Sequence, residues 1–289
     1  MAENESHAPV TTMVDQAHNA SRPRDPLIRI DQLDVDFGQL VVLRNLNLEI
    51  ARGETLAVIG ESGCGKTVFL KTLIGLLRPT RGTIHFDGRD LAKLDEKELT
   101  SQRVRFGFLF QQAALFDSMT IGQNVAFPLR QHTRKSRQYI REIVLARLAE
   151  VGLPEDVVLK KPAELSGGMR KRVGLARALA MEPEIILFDE PTTGLDPIMS
   201  DVINELIINT RRRHPVTSVL VTHDMRTAKK VADRIVMLYP FDRLDEHESQ
   251  ILYDGPPDRI DSAPDQRVLQ FVRGEAGPRL MEMRQRNRS

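Results

Sequence analysis

One stretch of eight residues has the composition and spacing of a phosphate-binding loop. Residues 60–67 read GESGCGKT and match G-x-x-x-x-G-K-[ST], with a β-rich run before them and a helical pattern after them. Glycines let the backbone turn so that its N–H groups point inward around phosphate oxygens. Lys66 can reach the β- and γ-phosphates, and the Thr67 hydroxyl can bind Mg²⁺. We therefore predict an ATP site formed by Gly60, Glu61, Ser62, Gly63, Cys64, Gly65, Lys66 and Thr67.

A pair of acidic residues follows a short apolar run. Residues 184–188 are followed by Asp189, Glu190 and Pro191. The end of a strand would place Asp189 beside the loop, where its carboxylate can hold Mg²⁺. Because side chains alternate along a strand, Glu190 should point the other way and act as the general base for an attacking water. Taken alone, these residues are interpreted equally well as an acidic end of a strand that a proline terminates. The phosphate-binding loop upstream favours the interpretation as a catalytic site.

The elements that must position these residues alternate along the chain. Short β-rich runs stand at 54–59, 185–188 and 218–221. The apolar residues between Lys66 and Leu77 have helical spacing. This alternation predicts an α/β fold with parallel strands, helices on both faces and ligands at the carboxyl ends of the strands. The pattern becomes helical in the middle of the chain, and we predict an inserted helical subdomain over about residues 112–180.

Length and composition fit an ordinary globular protein. The chain has 289 residues, of which 41% are hydrophobic and 28% charged, and no apolar run approaches the length that crosses a bilayer. Its single cysteine, Cys64, excludes an intrachain disulfide and a multi-cysteine zinc site. The net charge of +1 argues for neither nucleic acid nor a membrane surface as the partner.

The two ends differ from the middle. Residues 1–26 are polar, contain several acids and lack an apolar centre, which predicts a disordered head and excludes a secretory signal. Residues 274–289 form an arginine-rich tail, for which a solvated tail and a contact with a partner or a lipid headgroup both stay open. The predicted domain therefore covers residues 27–273.

Further motifs stand in a fixed order around the loop and the acidic strand. The tetrapeptide LSGG at 165–168 opens a helical pattern between them. This order resembles the ATP-binding cassette (ABC) family over about Ile28 to Arg273. The positions that match the family are Phe37, Gln111, Ser166, Gly167, Gly168, Asp196 and His223. The resemblance implies a P-loop NTPase (RecA-like) core, an inserted α-helical subdomain and an N-terminal antiparallel β-subdomain.

The same resemblance implies a role for each position. Residues 166–168 would receive the γ-phosphate held by the loop of a second subunit, so that ATP joins two cassettes. Gln111 would contact Mg²⁺ and the attacking water, and His223 would hydrogen-bond the γ-phosphate. Phe37 would stack on adenine, and Asp196 would lie across the dimer seam. The implied catalytic set is Glu190, His223, Gln111 and Lys66, and the implied Mg²⁺ set is Thr67, Gln111 and Asp189.

Two positions depart from the family pattern. Met169 stands where the family usually has glutamine, and hydrolysis should survive because serine and glycine form the anion cradle. The hairpin after Leu238 is also longer than usual, with an insertion at 240–248. A solvated loop and a contact with a partner are both open for it.

Four stretches, at 110–119, 124–133, 165–172 and 265–271, resemble the ATPases of the MCE-associated, Mla-type lipid transporters. The resemblance implies an ATP-hydrolysing homodimer that drives lipid transport, phospholipid above all, through a separate integral-membrane permease and an MCE-domain protein. It also implies a peripheral place on the cytoplasmic face of the bacterial inner membrane. A small regulatory subunit on the helical subdomain is left open. The alternatives are an ABC importer for another solute such as amino acids, and a soluble regulatory or nucleic-acid ATPase, which the balanced charge disfavours.

An apolar segment follows Gln111 directly. We predict that residues 116–130 form the groove that grips a helix of the permease. The alternative is that their apolar side chains, namely Phe116, Met119, Val125 and Phe127, belong to the core of the helical subdomain, and both interpretations can hold together.

Overall fold

A computed structural model describes residues 26–277. The strands are β1 (Pro26–Phe37), β2 (Leu40–Ala51), β3 (Thr55–Ile59), β4 (Arg81–Phe86), β5 (Arg89–Asp90), β6 (Phe106–Leu109), β7 (Ile185–Asp189), β8 (Thr217–Thr222), β9 (Arg234–Leu238) and β10 (Ile251–Gly255). The helices are α1 (Lys66–Leu73), α2 (Glu96–Arg103), α3 (Ile121–His132), α4 (Arg137–Glu150), α5 (Gly167–Leu179), α6 (Pro197–Arg213), α7 (Met225–Val231) and α8 (Gln266–Arg273). The predicted head at 1–26 and tail at 274–289 lie outside the described residues, apart from Pro26 and residues 274–277.

The larger sheet brings four strand ends to one edge. Its order is β10-β9-β3-β8-β7-β6, and all neighbours are parallel except β10 and β9. Ile59 lies opposite Thr222, and Asp189 lies opposite Val221. The carboxyl ends of β3, β8 and β7 are therefore level, and β6 ends beside them because Leu109 pairs with Phe188. The predicted α/β fold is confirmed.

A second, antiparallel sheet packs on one face of the first. Its order is β2-β1-β4-β5, and it shares a buried cluster with α1 and with alternate residues of β3, Leu56 and Val58. The other alternate residues, Ala57 and Ile59, lie in the cluster that the remaining helices cover. This division follows from the two-residue period of a strand. The expected N-terminal antiparallel β-subdomain is confirmed.

The described chain between β6 and β7 contains helices and short 3₁₀ turns but no strand. On α4, Ile140, Val144 and Leu148 are buried and join the cluster beneath the parallel sheet. Burying such a side chain stabilises the fold by about 1.5–3 kcal/mol. The boundaries of the helical subdomain at 112 and 180 stay a prediction. Among the described residues, no helix combines the length and the apolar character that crossing a bilayer requires.

Helix α1 is shorter than the spacing of its apolar residues predicts. It ends at Leu73, because Gly75 takes the left-handed conformation with a φ of 66°. The N–H of Gly75 donates to the carbonyl of Thr72, and the N–H of Leu76 donates to that of Lys71. These two bonds form a Schellman motif, which satisfies the last carbonyls of the helix before Leu77 is reached.

Candidate functional site

The 60–67 loop connects the carboxyl end of β3 to the first turn of α1. A Cβ on Gly60 would clash with the carbonyl O of Leu238, so only glycine fits there. Gly63 and Gly65 have φ values of 86° and 99°, a region that glycine enters without strain. The loop therefore takes its shape from its glycines. It leads directly into the N-terminus of α1, where the helix dipole favours a bound anion.

The Lys66 ammonium lies within the curve of the loop. Its Nζ donates to the carbonyl oxygens of Gly60, at 2.8 Å, and Glu61, at 2.9 Å. The Cys64 side chain is buried in the cluster between the two sheets, and its Sγ lies 3.9 Å from the Lys66 Nζ. Burial raises the pKa of the Cys64 thiol, although the positive charge of Lys66 opposes that shift.

Strand β2 lies against the loop and so places the β1–β2 hairpin beside it. A Cβ on Gly65 would lie 2.7 Å from Leu43 Cδ2 and 3.0 Å from Val42 Cγ1. The same hairpin carries Phe37 at its turn, and this side chain is 49% exposed. An exposed ring on the hairpin that contacts the phosphate loop is free to stack on a base.

Two oxygen atoms that could bind a metal ion lie in contact where β7 ends beside α1. The Thr67 hydroxyl donates to Oδ1 of Asp189 at 3.2 Å. Burial raises the pKa of the Asp189 carboxyl, whereas the bond from Thr67 acts to lower it. This hydroxyl and this carboxylate are hard oxygen ligands of the kind that Mg²⁺ takes from protein.

The Glu190 carboxylate turns away from Asp189 and toward β8. Its Oε2 accepts a hydrogen bond from the Thr193 hydroxyl at 3.0 Å and lies 2.9 Å from Nδ1 of His223. The backbone of Glu190 is left-handed, with a φ of 49°, and its N–H donates to the carbonyl of Val221. The unusual backbone aims the carboxylate at the residue that follows β8.

Gln111 follows β6 by two residues and is exposed. Because Leu109 pairs with Phe188, Gln111 stands about level with Glu190 along the sheet. The structure thus brings the predicted residues of the loop, of β7, of β8 and of the segment after β6 to one edge. This is the edge where open α/β sheets bind their ligands.

The signature turn at 166–168 packs against the start of α6. The Ser166 hydroxyl caps α5 by accepting from the N–H of Met169 at 3.2 Å, and a Cβ on Gly168 would meet Met199 of α6. Asp196 caps α6, since its carboxylate accepts from the N–H groups of Ile198 and Met199. The hydrogen bonds of Lys66 and Thr67 involve none of these residues.

Sequence reasoning missed two basic residues that contact this region. Lys171 binds the loop after Glu190, and Arg243 forms a 2.7 Å ion pair with Glu61. A signal for Lys171 was present, because it shares one helical face with Gly174, Leu175 and Ala178, which are all buried. Arg243 belongs to the 240–248 insertion, and no local pattern marks its partner.

Comparison with known proteins identifies the family. The model of the ABC transporter family matches residues 43–193, more than half of the chain. The chain belongs to the ABC transporter family. The predicted resemblance is thereby confirmed, and the chain is an ABC-type ATPase that binds ATP.

Three similar proteins illustrate the relationship. The probable ribonucleotide transport ATP-binding protein mkl of Mycobacterium tuberculosis is 43% identical, over 87% of this chain and 68% of its own length. The intermembrane phospholipid transport system ATP-binding protein MlaF of Haemophilus influenzae is 42% identical, over 87% of this chain and 92% of its own. A dimeric ATP-binding cassette, solved in a post-hydrolysis state with ADP and Pi, has a TM-score of 0.68 and is 35% identical, covering 77% of this chain and 98% of its own.

Proposed function

We propose that this ABC ATPase hydrolyses ATP at the edge where β3, β7 and β8 end, with Glu190 as general base. The observation that carries the proposal is the 2.9 Å contact between Glu190 Oε2 and His223 Nδ1, at the edge that also holds Lys66. Glu190 would take a proton from the attacking water, while Lys66 holds the β- and γ-phosphates. His223 would keep the carboxylate aimed and hydrogen-bond the γ-phosphate.

Mg²⁺ fits the residues at this edge. Thr67 and Asp189 supply two oxygen donors in mutual contact, with Gln111 at the same edge as the third predicted ligand. No cluster of three or more His, Cys, Asp or Glu side chains that could hold a metal occurs among residues 26–277. The single carboxylate of Asp189 suits Mg²⁺, which binds through one or two carboxylates together with substrate phosphates. When bound, the ion would neutralise charge on the transferred phosphoryl group.

The signature turn supports an active dimer. The N–H groups of Gly167 and Gly168 open α5 and have no partner within the helix, so they can bind an anion. Because the hydrogen bonds of Lys66 and Thr67 involve no residue of this turn, we infer that the turn receives the γ-phosphate of an ATP held by a second copy. We propose that two chains close on two ATP molecules, with Asp196 near the seam and Phe37 against adenine.

An apolar groove beside residues 116–130 is a candidate binding site for a permease. A cavity of about 430 Å³ is lined by aromatic side chains, namely Phe106, Phe108, Phe110, Phe116 and Phe127. Phe116 is 41% exposed and packs on Phe127, whereas Val125 is fully buried. Of the four apolar side chains Phe116, Met119, Val125 and Phe127, only Val125 therefore belongs wholly to the core. The exposed ring of Phe116 and the partly exposed ring of Phe127 support the proposal that residues 116–130 bind a helix of an integral-membrane permease.

The names of the MlaF relatives support a lipid cargo. MlaF proteins are named for intermembrane phospholipid transport, and the mycobacterial relatives are named for probable ribonucleotide transport. We propose a phospholipid cargo, an MCE-domain partner and a peripheral place on the cytoplasmic face of the inner membrane. The relatives give no support to the amino-acid importer.

Affinity purification from detergent-solubilised native membranes, with mass spectrometry of the copurifying proteins, tests this proposal. A permease together with an MCE-domain protein is the expected result. A permease with a periplasmic solute-binding protein would overturn the lipid cargo and leave the ATPase proposal standing. Recovery of the native protein in the cytosol alone would overturn the transporter assignment.

A further inference from the structure

Lys171 is a buried lysine whose ammonium group is surrounded by one loop. Lys171 is only 5% exposed to solvent. The Nζ donates to the carbonyl oxygens of Glu190 at 3.2 Å, Pro191 at 2.7 Å and Thr193 at 2.7 Å. All three donor positions of the ammonium are thus used on residues 190–193. A buried cation is costly unless it is bound in this way.

The loop that Lys171 binds holds Glu190 in a strained conformation. A left-handed backbone is sparsely populated for a residue other than glycine, and it persists only where the surroundings fix it. The Lys171 bonds fix the carbonyl groups of the loop, and the Thr193 hydroxyl fixes the Glu190 carboxylate at 3.0 Å. The direction of this carboxylate toward His223 therefore depends on the loop.

Lys171 belongs to the same helix as the signature turn. Helix α5 begins at Gly167, after the Ser166 cap, and Lys171 lies in its second turn. Because Lys171 lies one turn after Gly167 on the same helix, its side chain links the signature turn to the 190–193 loop.

We propose that Lys171 is a positioning residue, which holds the 190–193 loop so that Glu190 is aimed for hydrolysis and which ties this loop to the signature turn. The proposal rests on the proposed role of Glu190 as general base. It assigns Lys171 no contact with nucleotide.

Replacing Lys171 should therefore lower turnover and leave nucleotide binding intact. We expect Lys171→Met to reduce kcat about tenfold, the effect of losing a charge-assisted hydrogen bond, with the Kd for a non-hydrolysable ATP analogue changed less than about twofold. Lys171→Arg keeps a cation that can donate to carbonyls and should recover most of kcat. Lys171→Gln replaces Lys171→Met if thermal unfolding shows that the methionine variant is not folded.

Arg172→Met is the matched control. Arg172 is the next residue of α5 and donates to the carbonyl of Gly152 at 2.9 Å, away from the 190–193 loop. Its replacement also removes a basic group bound to a carbonyl, and we expect its kcat to stay close to that of the unmodified protein. A kcat for Lys171→Met equal to that of Arg172→Met would overturn the proposal.

A double-mutant cycle separates this proposal from the one on which it rests. If Lys171 acts through Glu190, then Lys171→Met in a Glu190→Gln background should lower single-turnover hydrolysis little further. Independent, additive losses would overturn the role of Lys171. Near-normal turnover of Glu190→Gln alone would instead overturn the role of Glu190 as base.

Discussion

His223 Nδ1 lies 2.9 Å from Oε2 of Glu190, across the ends of two neighbouring parallel strands. The Glu190 side chain is only 12% exposed, whereas that of His223 is 57% exposed. The pair therefore joins a buried carboxylate to a side chain that is open to a bound phosphate. This relationship is the basis of the first prediction.

Glu190→Gln should bind ATP and hydrolyse it far more slowly. The amide cannot accept a proton from water, so we expect kcat to fall by about 10²–10⁴-fold and the ATP-bound dimer to accumulate. Phosphate release and size-exclusion chromatography with ATP measure the two effects. Glu184→Gln, at the other end of β7, is the control and should retain turnover.

Lys66→Ala should weaken ATP binding, because the phosphates lose their main cation. Loss of a hydrogen bond to a charged group predicts a Kd at least about tenfold higher in an equilibrium titration. Lys97→Ala, which removes an exposed cation from α2, should leave the Kd unchanged. Equal affinity of the Lys66 variant and the unmodified protein would contradict the assignment.

Arg243→Ala tests whether the 240–248 insertion supports the phosphate loop. Arg243 lies 2.7 Å from the Glu61 carboxylate. Its loss leaves a negative charge less compensated beside the phosphates, so the Kd for ATP should rise about twofold to fivefold. Arg243→Lys keeps the charge and should bind ATP nearly as well as the unmodified protein. An unchanged Kd for Arg243→Ala would show that the 240–248 insertion does not influence ATP binding at the phosphate loop.

The contact between α4 and the end of α6 should make stability depend on pH. Partial burial acts to raise the pKa of the Glu150 carboxyl, but hydrogen bonds from Arg147 and His214 outweigh it and hold that pKa below its usual 4.5. The folded state then binds fewer protons than the unfolded state, so this stabilisation is present above about pH 4.5 and is lost as the pH falls through the folded pKa.

Urea unfolding at several acidic pH values measures this effect. Glu150→Gln should flatten the fall in unfolding free energy below pH 4.5, whereas Glu142→Gln on α4 should not. An identical slope for Glu150→Gln and the unmodified protein would contradict the assignment.

Lys171 should give the pH profile of kcat an alkaline limb. Burial lowers the pKa of Lys171 to about 8, and the negative charge of Glu190 opposes this shift. Above that pH the amine has two N–H donors for three carbonyl groups, so kcat should fall. Lys171→Arg stays protonated and should lack this limb in steady-state assays across the alkaline range. If the unmodified protein and Lys171→Arg show the same alkaline fall in kcat, that fall belongs to another titrating group.

The phosphate loop could be predicted because its determinants are local. Gly60, Gly63 and Gly65 allow the turn, and Lys66 and Thr67 follow in the first turn of the next helix, so the eight residues carry their own geometry. Asp189 and Glu190 were predictable for a related reason, since a buried strand places its last residues at a sheet edge. The roles of the individual site residues stay predictions that the variants above address.

Tertiary structure decided which distant residues meet. Lys171 and the 190–193 loop, Glu190 and His223, and Arg243 and Glu61 are joined by strand order and helix packing, which no local pattern encodes. The end of α1 is set locally instead: the left-handed Gly75 ends the helix although the apolar pattern continues to Leu77. The sequence by itself determined the loop, the acidic strand end and the α/β class, since these depend on short-range preferences. The aim of the Glu190 carboxylate depends on long-range contacts and was visible only in the folded chain.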